Sequence, residues 1–280
     1  MEFKSDFARN IFESKYLIET DTSINDAVER VVQAIARHYP ELEEKARYYI
    51  NNKYFLPAGG IWRAANNPKR KVSYINCTTL EEPEDNLESI FDSLYWWAKF
   101  AAYGQGEGID LSKLRPRGSV VHNTAQTSTG AVSFMPAYDA VLRTIAQKGR
   151  RGASLISIHD TYPDFEEFCT IKDEEGSVES ANISIQVSDA FLEAVKNDEM
   201  WEMKWEGEYG QITRERPARE LFDLLARQAW KTGDPGVQFK DKIHTESNSD
   251  YLGFPVTSTN ACCLVPSTQI TTDKGSLPIK

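Results

Sequence analysis

The sequence predicts an α/β fold with a helical lobe in front of it, and three observations carry that prediction. Strand-like alternation and helical spacing take turns from about residue 72 to residue 239, whereas residues 1–55 carry only helical patterns. The composition is that of a globular chain, with 40% hydrophobic and 26% charged residues among 280. That length buries one large core or two modest ones. Strands that alternate with helices pair in parallel through helical crossovers, and such sheets gather ligands at the C-terminal ends of their strands.

In the lobe, Ile24, Ala27, Val28, Val31, Val32 and Ile35 repeat at helical spacing behind a Thr22 or Ser23 N-cap. A second helix runs through Leu42, Ala46, Tyr49 and Ile50 after Pro40. Pro57-Ala58-Gly59-Gly60 breaks the pattern, and a basic stretch with Arg63, Lys69, Arg70 and Lys71 follows. Val72 to Cys77 alternates and predicts a strand that ends on Cys77, which by residue type alone is a buried small hydrophobe. Leu87, Ile90, Phe91, Leu94, Tyr95 and Ala98 mark one face of the next helix, with Tyr95, Trp96, Trp97 and Phe100 expected in the core. The glycine cluster Gly104 to Asp110 and the run Leu114 to Ser119 let backbone approach a ligand and offer Arg115 and Arg117 to phosphate. Asn123 to Ser133 reads as a polar turn, Tyr138 to Ile145 as a helix, and Gln147 to Ser154 as a basic loop opening into a strand at Leu155–Ile158. His159 and Asp160 at its end read as a structural hydrogen-bonding pair. Then come a helix at Phe165–Ile171, a strand at Ile183–Val187, helices at Asp189–Val195 and around Leu221–Leu225, and a strand at Val237–Phe239.

Several function classes are excluded on chemistry. A net charge of −10 argues against a general nucleic-acid binder. No apolar run approaches a membrane span, and the N-terminus starts no signal peptide. Cys77, Cys169, Cys262 and Cys263 form no CxxC and no Cys/His box, which favours free thiols, a cytoplasmic location and no protein-bound metal.

Taken in order, these segments resemble the catalytic subunit of ribonucleotide reductase. The residues that carry the resemblance are Asn76-Cys77, Gly106-Glu107-Gly108-Ile109-Asp110, Leu114-Arg115-Pro116-Arg117-Gly118, Ser133-Phe134-Met135, Gly149-Arg150-Arg151-Gly152-Ala153, Asn182-Ile183-Ser184, Asp234-Pro235-Gly236 and Asn260-Ala261-Cys262. They span roughly residues 50 to 262. The resemblance implies a ten-stranded α/β barrel, of which residues 56–262 supply the first part behind the 1–55 lobe. It makes Cys262 the thiyl-radical residue that takes the ribose 3′-hydrogen, and Asn260 an amide on the substrate hydroxyls. It makes Cys77 one of two redox cysteines that act as the 2′-hydroxyl leaves, with Asn76 and Gly108 as further substrate contacts. Asp85, Asn86, Leu87, Arg115 and His122 stand where an ATP or deoxynucleoside triphosphate effector binds near a homodimer interface. His122 departs from the basic residue of many relatives. The Gly149, Arg150, Arg151 and Gly152 loop relays effector identity to the substrate base. The wording of Leu114-Arg115-Pro116 and Ser133-Phe134-Met135 is most like the adenosylcobalamin-dependent class II, with the class I di-iron large subunit as the alternative. An external, thioredoxin-like dithiol reductant is implied, and so is a di- or triphosphate substrate.

The family pattern wants a glutamate two residues after the radical cysteine, and Cys263-Leu264 stands there instead. From Cys263 the wording resembles the start of an intein, with Cys263 as the nucleophile of an N-to-S acyl shift. Residues 263–280 are too few for a complete intein, so the chain reads as an N-terminal portion needing splicing or a C-terminal partner fragment. A truncated precursor, a plain terminal loop and a non-catalytic nucleotide-binding module are the alternatives.

Overall fold

In the computed structural model the described residues are 1–121, 126–145, 153–173, 176–208, 210–260, 269–272 and 275–278. The lobe begins with α1 (Asp6–Tyr16), α2 (Ile24–Ala36), α3 (Glu43–Asn51) and the short α4 (Gly59–Ala64). Ser23 caps α2 in a full capping box: its hydroxyl accepts from the Asp26 amide, and the Asp26 carboxylate accepts from the Ser23 amide. The predicted stripe is buried as Ala27, Val28, Val31 and Val32, against Phe12, Ile50 and Trp62. Ile24 and Ile35 pack at the margin of this core.

Five strands follow, all parallel, in the spatial order β1 (Cys77–Thr79), β2 (Gly106–Asp110), β3 (Ser154–His159), β4 (Ala181–Val187) and β7 (Gly236–Phe239). The crossovers carry α5 (Leu87–Ala102), α6 (Met135–Thr144), α7 (Phe165–Thr170), α8 (Asp189–Asn197) and α9 (Ala218–Thr232). Alternation splits the sheet into two faces. Ile109, Ile156, Ile158, Ile183, Ile185 and Val187 join a large core with Trp97, Phe165, Phe168 and Phe191 of the helices. The opposite face carries Gly106, Gly108, Asp110, Ser157, Ser184 and Gln186, buried yet polar or bare. After β7 come α10 (Lys240–Glu246) and α11 (Asn248–Tyr251), and a separate hairpin pairs β8 (Gln269–Thr272) with β9 (Gly275–Pro278). The fold is α/β, and every helix and strand expected from residue 135 to residue 239 is present within a few residues of its expected ends.

Four expectations need correction. The strand does not end on Cys77 but starts there. Residues 73–76 are irregular, because the Asn76 side chain accepts from the Gly60 amide (2.6 Å) and the Ser73 hydroxyl accepts from Gln105 Nε2 (2.5 Å). The glycine cluster from Gly106 is itself β2. Trp97 is fully buried, but Tyr95 and Trp96 are exposed, as are Leu87 and Phe91 of the expected inner face. Last, His159 and Asp160 do not pair with each other. Asp160 accepts from the Ser188 amide (2.6 Å) and hydroxyl (2.7 Å) at the start of α8, while His159 approaches Asp110 and Lys240.

An antiparallel hairpin, β5 (Met200–Gly207) and β6 (Gly210–Pro217), lies between α8 and α9, where the sequence reading places no strand. Its signal was there: Trp201, Met203 and Trp205 alternate with charged residues, and Met203 and Trp205 are buried. Among the described residues no helix is long and apolar enough to cross a membrane.

Candidate active site

The bare and polar face of the sheet holds the segment 257–260, which belongs to no strand. Glycine makes room for it. A Cβ on Gly108 would stand 2.2 Å from the Thr259 carbonyl oxygen, and one on Gly106 would stand 2.6 Å from Asn260 Nδ2. Gly106 is in turn the register partner of Cys77, and its amide donates to the Asn76 carbonyl (2.7 Å). Cys77, Asn76, Gly108 and Asn260, four residues singled out from sequence, are thus gathered along β1 and β2 near the N-terminal ends of these strands, not at the C-terminal ends where an α/β sheet is expected to gather its ligands. Cys77 is half-buried.

Asn260 is only 4% exposed, and neither its Oδ1 nor its Nδ2 has a hydrogen-bond partner among the described residues. A buried amide left without partners costs about 1–3 kcal/mol, so an unpaired one marks a place where a polar ligand completes the set.

Side chains rather than ladder bonds fix the segment. Gln186 Nε2 donates to the Thr257 carbonyl (2.8 Å) and to Asp110 Oδ2 (2.7 Å). Ser157 Oγ donates to the same carboxylate oxygen (2.8 Å) and lies 3.3 Å from Ser258 Oγ. The Ser112 amide donates to Asp110 Oδ1 (2.8 Å). Asp110 is fully buried, and burial pushes its carboxyl up to about 6. This network went unread in the sequence, although Ser184 and Gln186 alternate with Ile183 and Ile185 and so mark a polar face.

Beyond Asp110 stand His159, Glu82 and Lys240. Acceptor atoms of Glu82, Asp110 and His159 lie within 4.8 Å of one another, close enough to suggest a metal. Lys240 argues otherwise. Its ammonium can only donate and sits 3.2 Å from His159 Nδ1, so Nδ1 accepts and the ring proton is on Nε2, the atom facing Asp110 at 3.8 Å. A protonated Nε2 ligates no metal. Burial, then the Lys240 charge, drive His159 down to about 4. On the helix-facing side, burial pushes Glu107 up to about 7 despite a hydrogen bond from Ser154 Oγ (2.7 Å).

A second constellation lies at the C-terminal ends of the strands. Arg115 donates through its amide and Nε to the two oxygens of Asp85 (3.0 and 2.8 Å). Asn86 caps α5 by accepting from the Ser89 amide (2.8 Å). With Leu87 they line a cavity of about 220 Å³ floored by Ile90 and Phe134. Four of the five expected effector residues, Asp85, Asn86, Leu87 and Arg115, are therefore together. The others singled out from sequence, His122, Gly149, Arg150, Arg151, Gly152, Cys262 and Cys263, lie outside the described residues.

Comparison with known proteins shows the family. Residues 75–274 match the family described as "Ribonucleotide reductase, barrel domain". The chain is 37% identical over 198 residues to a vitamin B12-dependent ribonucleoside-diphosphate reductase of Thermoplasma acidophilum, covering 70% of this chain and 26% of that protein. It is 36% identical over 185 residues to a protein of the same description from Mycobacterium tuberculosis, covering 65% and 26%. A ribonucleoside-diphosphate reductase large chain of Cryptosporidium parvum is 25% identical over 298 residues, covering 94% and 37%. The chain spans about a quarter of the length of the two B12-dependent relatives.

Proposed function

Because the chain belongs to the ribonucleotide reductase barrel-domain family, we propose that it forms one half of the substrate site of an enzyme that reduces ribonucleotides to deoxyribonucleotides. The observation that carries this reading is the partnerless Asn260 amide, buried against Gly106 in the strand beside Cys77. A ribose offers the hydroxyls that such an amide lacks. In this reading Asn260 binds and orients the hydroxyls, Gly108 seats the Thr259 carbonyl that sets Asn260 in place, and Asn76 adjoins Cys77. The thiyl radical of Cys262 takes the 3′-hydrogen. As the 2′-hydroxyl leaves as water, Cys77 and a second cysteine give up two hydrogens in all, one as a proton to the departing water and one to C2′, and become a disulfide; Cys262 then returns the abstracted hydrogen to C3′ and its thiyl radical re-forms. An external thioredoxin-like dithiol then restores the thiols.

The names of the two B12-dependent relatives support adenosylcobalamin as the radical source. When bound, that cofactor supplies homolysis of its cobalt–carbon bond. The described residues supply the substrate end of the reaction. The cavity at Asp85, Asn86, Leu87 and Arg115 would take an ATP or deoxynucleoside triphosphate effector, with the Gly149–Gly152 loop as its relay. The test uses the complete enzyme with adenosylcobalamin and no second subunit. Turnover is expected, with kcat down at least about a hundredfold in Asn260→Ala and abolished in Cys262→Ser. Absence of turnover without a second subunit would instead favour the di-iron class.

A second reading concerns the junction after Cys262. Cys263-Leu264, followed by Thr268-Gln269-Ile270, supports a splicing element whose first step is attack of the Cys263 thiol on the Cys262 carbonyl. Mass spectrometry of the native protein is expected to show a joined product lacking residues 263–280, and Cys263→Ala is expected to prevent joining. A native chain that still carries residues 263–280 would sink this reading and leave the first intact.

A further inference from the structure

The basic stretch singled out in the sequence lines a cavity of about 730 Å³, and the site at Asn260 does not use it. The cavity opens between the helical lobe and the N-terminal end of the sheet, between the end of α1 and the 67–72 segment. Five cations line it, Lys15, Arg63, Lys69, Arg70 and Lys71, against one carboxylate, Glu19. This excess stands in a chain whose net charge is −10. Glu19 is already committed, since Arg70 hydrogen-bonds it closely and Lys69 Nζ lies 3.3 Å away.

Arg63 is set against the wall of the cavity by a glycine. Its guanidinium donates to the Gly104 carbonyl (3.2 Å), and Gly104 holds φ +76° where a Cβ would meet the same guanidinium at 2.8 Å. Leu17, Val72 and Tyr103 give the cleft an apolar side as well. A concavity with more cations than carboxylates attracts an anion, and low-dielectric walls strengthen the field that draws one in. The volume lies within the range of small-ligand sites.

We propose that this cleft binds a small polyphosphate-bearing ligand, its phosphates held by Lys69, Arg70, Lys71 and Arg63. The site shares no residue with the cavity at Asp85 and Arg115, so it stands whether or not the chain reduces nucleotides.

The experiment is calorimetric titration of the full chain with two probes, inorganic tripolyphosphate and ATP, in an Arg115→Ala background that disables the other cavity. One site is expected for tripolyphosphate, with an affinity that falls steeply as salt rises. The double variant Lys69→Glu/Lys71→Glu is expected to weaken it at least about tenfold, the scale of one or two lost charge-assisted contacts. Lys71→Ala, a change at an exposed side chain, serves as the milder variant and is expected to weaken binding by a smaller factor. Tighter binding of ATP than of tripolyphosphate identifies a nucleotide as the source of the phosphates, and equal binding identifies a free polyphosphate. The proposal is overturned if both variants bind tripolyphosphate as the parent does, if no binding is seen below millimolar concentration, or if a short single-stranded RNA displaces tripolyphosphate at lower concentration than ATP.

Discussion

Glu107 and His159 are held in their neutral forms by burial, and their opposite chemistry gives the protein opposing pH slopes. Glu107 has its pKa raised from 4.5 to about 7, so its contribution to stability is complete below about 4.5 and is lost as pH rises through 7. His159, lowered from 6.5 to about 4, contributes above 6.5 and loses that contribution as pH falls toward 4. Glu107→Gln keeps an acceptor for Ser154 and removes the charge. It should stabilise the fold by about 2–3 kcal/mol at pH 8 and by little at pH 4, read from denaturant midpoints at the two values. An equal gain at both would show that the carboxyl is not held neutral. None of this could be read from residue types. Glu107 sits between glycines in the sequence, and only the register of β2 turns it toward the helices while Asp110 turns away.

At the scale of elements, the segment 257–260 is placed by β4 rather than by its neighbours in sequence. Gln186→Leu removes the donor to the Thr257 carbonyl and leaves Asp110 with one partner fewer. The amides of residues 258–260 should then exchange with solvent at least about tenfold faster, with protection in β3 and β4 kept. Gln186→Met, of similar length and with no donor, should behave like the leucine variant. Unchanged exchange in both would mean that the glycines alone hold the segment. How much of this was legible depended on pattern length. α2, β3, β4 and α9 repeat over enough residues for periodicity to speak, and they appear where expected. Val72–Cys77 alternated just as well, but Asn76 and Ser73 spend their side chains on Gly60 and Gln105, and that competition is invisible in a linear text. Asn260 was legible only through a family resemblance. Its unpaired amide is a property of the folded chain.

For the whole molecule, the correction at α5 matters most. Leu87, Phe91, Tyr95 and Trp96 are 54%, 60%, 53% and 44% exposed, a contiguous apolar stripe beside the cavity at Asp85 and Arg115. The sequence put Leu87, Phe91 and Tyr95 on an inner face because helical spacing shows that a face is apolar and not what covers it. In the homodimer reading of this family a second copy covers it. Phe91→Glu should then raise the dimer dissociation constant at least about a hundredfold in sedimentation experiments, with the melting temperature kept. A variant that still dimerises like the parent would move the interface elsewhere.

The segment carrying Asn260 has one more consequence. It rests on the sheet without belonging to it: among the described residues, withdrawing 257–260 breaks no strand–strand hydrogen bond, and the segment is tied to the sheet through Gln186 and Ser157. The five-stranded frame and the thread laid across it are therefore separable parts. In the splicing reading, chemistry at the Cys262–Cys263 peptide bond proceeds with the thread slack and the frame already set, and the finished thread is then drawn in over the two glycines.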